Sequence, residues 1–151
     1  MSLENRLLDD LKDSMKRKDE LVISVLRMLK SQLMLEKTKK GGSKDLSDET
    51  VEQVFTAYAK KLAEAAELFA KGGRDDLAVR HKAELEVVRR YLPEAASLEE
   101  INQVIEEAIA ATGAAGPSDM GRVMGQVMAG LKGRADGKTL SQLVSRRLAG
   151  E

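Results

Sequence analysis

The side chains of this chain that could carry out chemistry are few and scattered. His81 is the single histidine, and acid–base catalysis would require a nucleophile or a carboxylate held beside it. The chain has no cysteine, which excludes a thiol nucleophile and thiolate ligands and argues against a zinc site. Because Leu77 and Leu85 flank His81 at helical spacing, we interpret this histidine as a packed or boundary residue. The sequence predicts no catalytic site, no metal and no cofactor.

Residues 133–139, Gly-Arg-Ala-Asp-Gly-Lys-Thr, superficially resemble a phosphate-binding P-loop. Only three residues separate the two glycines where a P-loop requires four, and no strand pattern precedes them, so we reject a nucleotide site. Two interpretations of this turn stay open. In the first, Gly133 ends one helix and Asp136 caps the next. In the second, Arg134 and Lys138 attract a phosphodiester to an open helix N-terminus.

Basic side chains are the main candidates for binding chemistry. Residues 118–149 carry six basic and two acidic side chains, a net charge of +4, whereas residues 93–117 carry five acidic and no basic ones, a net −5. Because lysine and arginine neutralise phosphates, the basic segment is the candidate for contact with RNA. The predicted RNA-binding residues are Arg122, Lys132, Arg134, Lys138, Arg146 and Arg147.

A second group of basic residues lies nearer the start of the chain. This N-terminal basic patch comprises Lys16, Arg17, Lys18, Arg27 and Lys30. Such a run usually ends a helix in solvent, where its charge complements the helix dipole. The alternative is a secondary RNA-binding patch. It would contact backbone shape and phosphate, because aromatic platforms for base stacking are nearly absent.

Gly121, Gly125 and Ala129 recur every four residues and form a small-residue strip beside a stripe of methionines. Methionine stripes at helical spacing usually belong to a core, so we expect this strip to pack closely inside its domain. The alternative is an exposed strip that lets an RNA backbone or a partner helix approach closely. Each interior glycine costs a helix about 1 kcal/mol relative to alanine, and either packing or binding would offset that cost.

Helical periodicity and end signals predict seven helices that position these residues. The predicted helix starts are Ser2, Asp19, Ser47, Arg74, Ser97, Ser118 with Asp119, and Asp136. Ser97 with Glu100 forms a capping-box pattern, and the second helix is apolar on nearly every side, as expected at the centre of a bundle. Pro93 ends the fourth helix. We therefore predict an all-α fold, with a four-helix unit at residues 1–93 and a three-helix unit at residues 97–151.

Composition agrees with a folded helical protein. Hydrophobic residues make up 42% of the chain and charged residues 33%, which excludes a disordered chain. Aromatic residues are only 3%, so the core must be aliphatic, which favours helices over sheets. No apolar run approaches the roughly 20 residues that cross a bilayer, and the acidic N-terminal sequence is unlike a signal peptide. These features predict a cytoplasmic protein with no membrane partner.

Six strings of residues, in order along the chain, resemble those of the YqeY-like proteins (the GatB/YqeY domain). They lie at residues 15–19, 24–30, 72–78, 91–93, 120–125 and 132–137. The second half is also similar to the C-terminal tail of the B subunit of the glutamine-dependent aminoacyl-tRNA amidotransferase. The resemblance implies a four-helix unit followed by a three-helix unit. It also implies a tRNA-related binding role, because the amidation and glutaminase chemistry of that enzyme belongs to other domains and to a different polypeptide.

The favoured hypothesis is a non-catalytic helical module that binds tRNA or is associated with tRNA-dependent amidation. Its partners would be tRNA and a protein of the translation or amidotransferase machinery. One alternative is a protein–protein adaptor that uses the small-residue strip or the long helical hairpin. Another is a carbon–nitrogen ligase with glutamine as amido donor, against which the absence of glutaminase and ATP-binding elements argues.

Overall fold

A computed structural model describes residues 1–150, which form seven α-helices and one short 3₁₀ helix, Pro117–Asp119. The helices are α1 (Leu3–Arg17), α2 (Glu20–Thr38), α3 (Asp48–Lys71), α4 (Asp75–Arg89), α5 (Leu98–Thr112), α6 (Met120–Leu131) and α7 (Gly137–Leu148). The predicted all-α fold is confirmed, and no strand occurs in the described residues. None of these helices is both long enough and apolar enough to cross a membrane.

The chain divides into two compact units between Leu92 and Pro93. The first unit contains α1 to α4 and the second contains α5 to α7. Whether the predicted segments 1–93 and 97–151 fold independently stays a prediction, and each unit is described by itself below.

Local capping signals set the starts of the helices in the first unit. The side-chain oxygens of Ser2, Asp19 and Ser47 each accept a hydrogen bond from a backbone N–H three residues later, as predicted. The fourth helix ends at Arg89 rather than at Pro93, and the intervening residues form turns with bonds to the third residue back. The reason is that the residue before a proline is disfavoured in helical conformation.

The core of the first unit is aliphatic, with Phe55 as its largest fully buried side chain. Helix α2 contacts α1, α3 and α4, which confirms its central position. Its apolar surface is not buried all round, however, because Met28, Met34 and Leu35 are exposed. These three neighbours cover only part of the circumference of the helix, and the remaining face meets solvent.

The core of the second unit is smaller, and α6 supplies its centre. Val123, Val127 and Leu131 of α6 are buried between α5 and α7. Gly130 allows α6 to approach α5, since a Cβ placed there would lie 3.0 Å from Val104 Cγ1. The predicted capping box at the start of α5 is only half formed. Its Ser97 Oγ accepts from the Glu100 N–H at 3.1 Å, but the Glu100 carboxylate binds elsewhere.

Two further capping predictions need correction. Asp119 precedes α6, but its carboxylate accepts from the backbone N–H groups of Ala115 and Gly116 and from the Arg122 guanidinium, not from the backbone of α6. The Ala115 N–H, followed by the Arg122 guanidinium, holds the pKa of Asp119 below its usual value. Asp136 does occupy the N-cap of α7, as predicted, yet makes no side-chain bond to the α7 backbone. The Asp119 carboxylate is taken up by donors of the preceding loop, and the Asp136 carboxylate accepts from the Thr139 hydroxyl at 3.5 Å.

Candidate nucleic-acid interface

The six predicted RNA-binding residues all lie in the second unit and fall into two classes. Three are unpaired: Lys132, Lys138 and Arg146 are exposed and lie within 4.0 Å of no carboxylate in residues 1–150. The other three are arginines held in ion pairs, Arg122 with Asp119, Arg134 with Glu100 and Arg147 with Glu106. A phosphate could bind the three unpaired cations directly, but it would have to displace a carboxylate from each of the three paired arginines.

Arg134 is the most engaged of the six. Its Nε donates to the Glu94 carbonyl oxygen at 2.9 Å, and its Nη2 donates to Glu100 Oε2 at 2.8 Å. Its own carbonyl oxygen accepts from the Ala96 N–H at 2.8 Å. The Arg134 side chain is only 32% exposed and joins the turn to the start of α5.

The turn around Arg134 depends on two consecutive left-handed residues. Lys132 ends α6 with a φ of 47°, and Gly133 follows with a φ of 77°. Glycine adopts this conformation without cost, whereas lysine does so at a penalty of about 1–2 kcal/mol. Gly133 thus plays the structural part that the sequence predicted for it. The N-terminus of α7 that follows is open, because Asp136 contributes no hydrogen bond to its backbone.

The expected close packing of the small-residue strip is wrong. A Cβ placed on Gly121 or Gly125 would meet no atom within 4 Å, and Ala129 is exposed. Met128 beside the strip is 52% exposed. The buried stripe of α6 is Val123, Val127 and Leu131, so the strip is turned away from the core. The alternative interpretation, an exposed surface that permits close approach, is the one that stays open.

The N-terminal basic patch is fully exposed in the first unit. Arg17 pairs with Asp13 at 3.1 Å, and Lys18 takes a left-handed conformation that ends α1. Lys16, Arg27 and Lys30 lie on exposed helix positions. Part of this patch thus ends a helix in solvent, and its use for RNA stays a prediction.

His81 lies at the boundary between core and solvent, as the sequence predicted. Its Nδ1 lies 2.9 Å from the Leu77 carbonyl oxygen, one helical turn earlier. Its ring packs against Phe69 with the ring centroids 5.1 Å apart. The side chain therefore has a structural role in the hairpin of α3 and α4. Across the part of the chain that the structure describes, no group of acidic or histidine side chains could hold a metal ion.

A polar cluster around Tyr91 was not predicted. The Tyr91 hydroxyl donates to the Asp10 carboxylate, and the Tyr91 and Phe55 rings form a T-shaped pair. The Arg6 guanidinium lies 4.7 Å from the Tyr91 ring centroid. Burial and then the Asp10 carboxylate raise the pKa of Tyr91 far above its usual value. The hydrogen-bonded partners are 81 residues apart in sequence, so local spacing gives no sign of the contact. Its only sequence signal is an isolated tyrosine within the resemblance string at 91–93.

Comparison with known proteins relates nearly the whole chain to one family. The family described as Yqey-like protein matches residues 4–148. Altered inheritance of mitochondria protein 41, mitochondrial, from Pyrenophora tritici-repentis is 26% identical over 95% of this chain and 77% of that protein. An uncharacterized protein of Schizosaccharomyces pombe is 34% identical over 56% of this chain and 68% of its own length.

A component of an amidotransferase is also related. The E subunit of the glutamyl-tRNA(Gln) amidotransferase from Thermococcus gammatolerans is 31% identical over 85% of this chain. The matched region is 20% of that protein, so the chain spans a small part of its length. The match to this E subunit covers more than the second unit of the chain.

Proposed function

This chain belongs to the YqeY-like protein family, and from that premise we propose that it is a non-catalytic helical module that binds tRNA in connection with tRNA-dependent amidation. Similarity to one component of a glutamyl-tRNA(Gln) amidotransferase supports this proposal. Because the chain matches only 20% of that component, we propose that it contacts tRNA, and we do not propose that it has the activity of the whole enzyme. The alternative of a glutamine-dependent carbon–nitrogen ligase ranks last.

The observation that carries the proposal is the set of unpaired cations in the second unit. Lys132, Lys138 and Arg146 are exposed and have no carboxylate partner in residues 1–150. Phosphates release counterions when they meet such side chains, which favours binding without loss of an internal contact. The paired residues Arg122, Arg134 and Arg147 are secondary contacts, because exposed ion pairs are weak enough to exchange for phosphate.

The surroundings of these cations favour close approach of a nucleic-acid backbone. Lys132 ends α6, at the end of the small-residue strip, and Lys138 lies in the first turn of α7, whose N-terminus is open. Helix N-termini favour anions, and small side chains leave room for a sugar–phosphate backbone. We propose that the strip Gly121, Gly125 and Ala129 is part of the same surface.

A salt titration of tRNA binding tests the proposal. If the three unpaired cations contact phosphates, the slope of log affinity against log salt should be about −2 to −3, at roughly 0.7 to 0.9 per contact. Replacing Lys132, Lys138 and Arg146 with Ala should remove most of that slope. The matched control replaces Lys60, Lys61 and Lys82, which are also exposed and unpaired but lie in the first unit. Equal slopes in both triple variants would exclude Lys132, Lys138 and Arg146 as the phosphate contacts and overturn the observation on which the proposal rests.

A protein–protein adaptor is the second candidate, and the exposed strip favours it. Met128 is 52% exposed beside Gly121 and Gly125, which gives α6 an apolar face that a partner helix could cover. If the wild-type protein fails to bind tRNA at low salt, this function takes precedence.

We propose that the protein is cytoplasmic. The Pyrenophora relative carries the word mitochondrial in its name, so fluorescence microscopy of the tagged protein should distinguish the cytoplasm from the mitochondrion.

A further inference from the structure

The turn between α6 and α7 is tied to the segment that follows Pro93. Arg134 makes two side-chain bonds, to the Glu94 carbonyl oxygen and to the Glu100 carboxylate, at 2.9 and 2.8 Å. The Ala96 N–H adds a backbone bond to the Arg134 carbonyl oxygen. The side chains of Arg134 and Glu100 are 32% and 49% exposed, so the ion pair is in contact with solvent.

Glu100 has a second partner within its own helix. In a capping box, the glutamate at this position accepts a hydrogen bond from the backbone N–H of the N-cap residue, which here is Ser97. The serine half of the box is formed, with Ser97 Oγ 3.1 Å from the Glu100 nitrogen. The glutamate half is not, and the Ser97 N–H makes no hydrogen bond within residues 1–150. Glu100 therefore stands between two alternative partners, Arg134 and Ser97.

We propose that Glu100 gates Arg134 for phosphate, so that Arg134 exchanges the Glu100 carboxylate for a tRNA phosphate while Glu100 turns to the Ser97 N–H. This inference rests on the proposed function and concerns the regulation of the same surface. A phosphate offers the guanidinium the bidentate geometry that a carboxylate offers. Because exposed ion pairs contribute little in water, the exchange is inexpensive. Completion of the capping box then stabilises the released carboxylate.

The gate leaves the start of the second unit attached to the turn. The Glu94 carbonyl oxygen accepts from Arg134 Nε, whereas the Glu100 carboxylate accepts from Nη2. Release of Glu100 therefore requires neither the Glu94 bond nor the Ala96 backbone bond to break.

The first test uses the protein without RNA and follows amide hydrogen exchange at Ser97 by NMR. R134Q frees Glu100, so the Ser97 amide should exchange about fivefold more slowly than in wild type, as one added hydrogen bond implies. R134Q/E100A, which has no side chain at position 100 to complete the capping box, should return to the wild-type rate. R147Q is the matched control, since it breaks the Arg147–Glu106 pair with the same loss of charge. The Val127 amide in the core reports whether the fold is intact.

The second test measures affinity for a tRNA transcript at fixed low salt. E100Q removes the competitor of the phosphate and should raise affinity about two- to fivefold, in the range of an exposed ion pair. E99Q removes the same charge from the neighbouring exposed residue, which has no ion pair in the described chain, and should change affinity less. In the R134Q background, E100Q and E99Q should have equal effects.

The outcomes separate this inference from the proposed function. Equal effects of E100Q and E99Q in the wild-type background, with tRNA still bound, would overturn the gate and leave the tRNA proposal standing. An unchanged Ser97 exchange rate in R134Q, with the Val127 amide unaffected, would overturn the partner exchange. Absence of tRNA binding by the wild type at low salt would overturn the proposed function, and the gate with it.

Discussion

The two units differ in how their polar side chains join one helix to another. In the first unit, the Tyr91 hydroxyl donates to Asp10, and the pair of Lys37 and Glu4 is only 27% and 23% exposed. In the second unit, the ion pairs that join the Arg134 turn and the Arg147 position of α7 to α5 are more exposed, up to 60% at Glu106. Partly buried contacts of long sequence separation stabilise the first unit, whereas those of the second are open to exchange with a ligand.

This difference assigns the units different tasks. In the first unit, a rearrangement of the helices would break the aliphatic core and the partly buried polar contacts. The second unit combines a small core with unpaired cations at Lys132, Lys138 and Arg146 and with open glycines on α6. We infer that the first unit provides a rigid body and that the second unit provides the adaptable surface.

The largest expected effect is the loss of stability of the first unit when its central aromatic residue, Phe55, is replaced. Phe55 is fully buried and forms a T-shaped pair with the Tyr91 ring, with the centroids 5.8 Å apart. Replacing Phe55 with Ala should lower the free energy of unfolding of the first unit by about 3–5 kcal/mol, through lost burial and a cavity. Urea denaturation followed by circular dichroism measures it. Leu68→Ala, at a side chain 69% exposed, is the control and should change stability by less than about 0.5 kcal/mol.

The next effect concerns the boundary of the second unit. We predict that residues 97–151 expressed alone are helical. A fragment that begins at Glu94 should be more stable by about 1–3 kcal/mol, because it keeps the Arg134 bond to the Glu94 carbonyl and the Ala96 bond to the turn. Thermal denaturation of both fragments compares them. Equal stability would show that residues 94–96 are only a linker, and two unfolded fragments would show that the units are not separable.

The sequence predicted those features of the fold that depend on near neighbours. The caps of Ser2, Asp19 and Ser47 and the all-α class follow from residues within four positions of each other. Contacts across long separations were missed, such as Tyr91 with Asp10 and Arg134 with Glu100. No local spacing signals those contacts, since they depend on how the helices pack.

In the candidate site, too, the sequence did not show contacts between residues that are far apart along the chain. Charge counting located the six basic residues in the second unit, but it could not tell the paired ones from the unpaired. On α6, two apolar stripes share a four-residue spacing, one with Val123 and Val127 and the other with Met124 and Met128. The positions of α5 and α7 decide that the valines are buried, and the sequence of α6 alone does not contain this information.

A smaller effect isolates the polar anchor of the first unit. Tyr91→Phe removes the hydrogen bond to Asp10 while keeping the ring, and should cost about 1–2 kcal/mol at pH 7. Folding raises the pKa of Tyr91 above the ordinary value of 10.0, so the folded chain holds this proton more tightly than the unfolded chain. The stabilisation is therefore fully present below about pH 10 and is lost as pH rises above it.

Urea denaturation of wild type and Tyr91→Phe at several pH values between 7 and 11 provides the measurement. The difference in unfolding free energy should be constant up to about pH 10 and should shrink above it. Tyr58→Phe is a useful comparison, because the pKa of Tyr58 is also raised, by burial and then by Glu84, without a hydrogen bond to Asp10. A difference that does not depend on pH would show that the Tyr91 hydroxyl contributes through packing alone.

The smallest effect separates the two uses of glycine on α6. Gly125→Ala should stabilise the second unit by about 0.5–1 kcal/mol, because alanine favours the helix and its Cβ would meet no atom within 4 Å. Gly130→Ala is the matched control in the same helix. Its Cβ would lie 3.0 Å from Val104 Cγ1, so crowding against α5 should cancel or reverse the gain. Thermal denaturation of the full chain ranks the two variants.

The same two variants test whether the open strip contacts a tRNA backbone. If it does, Gly125→Ala should weaken tRNA binding even though it stabilises the fold. Gly130→Ala should weaken tRNA binding only as far as it unfolds the protein. A Gly125→Ala variant that is more stable and binds tRNA as well as wild type would remove the strip from the proposed surface and leave the cations as its only part.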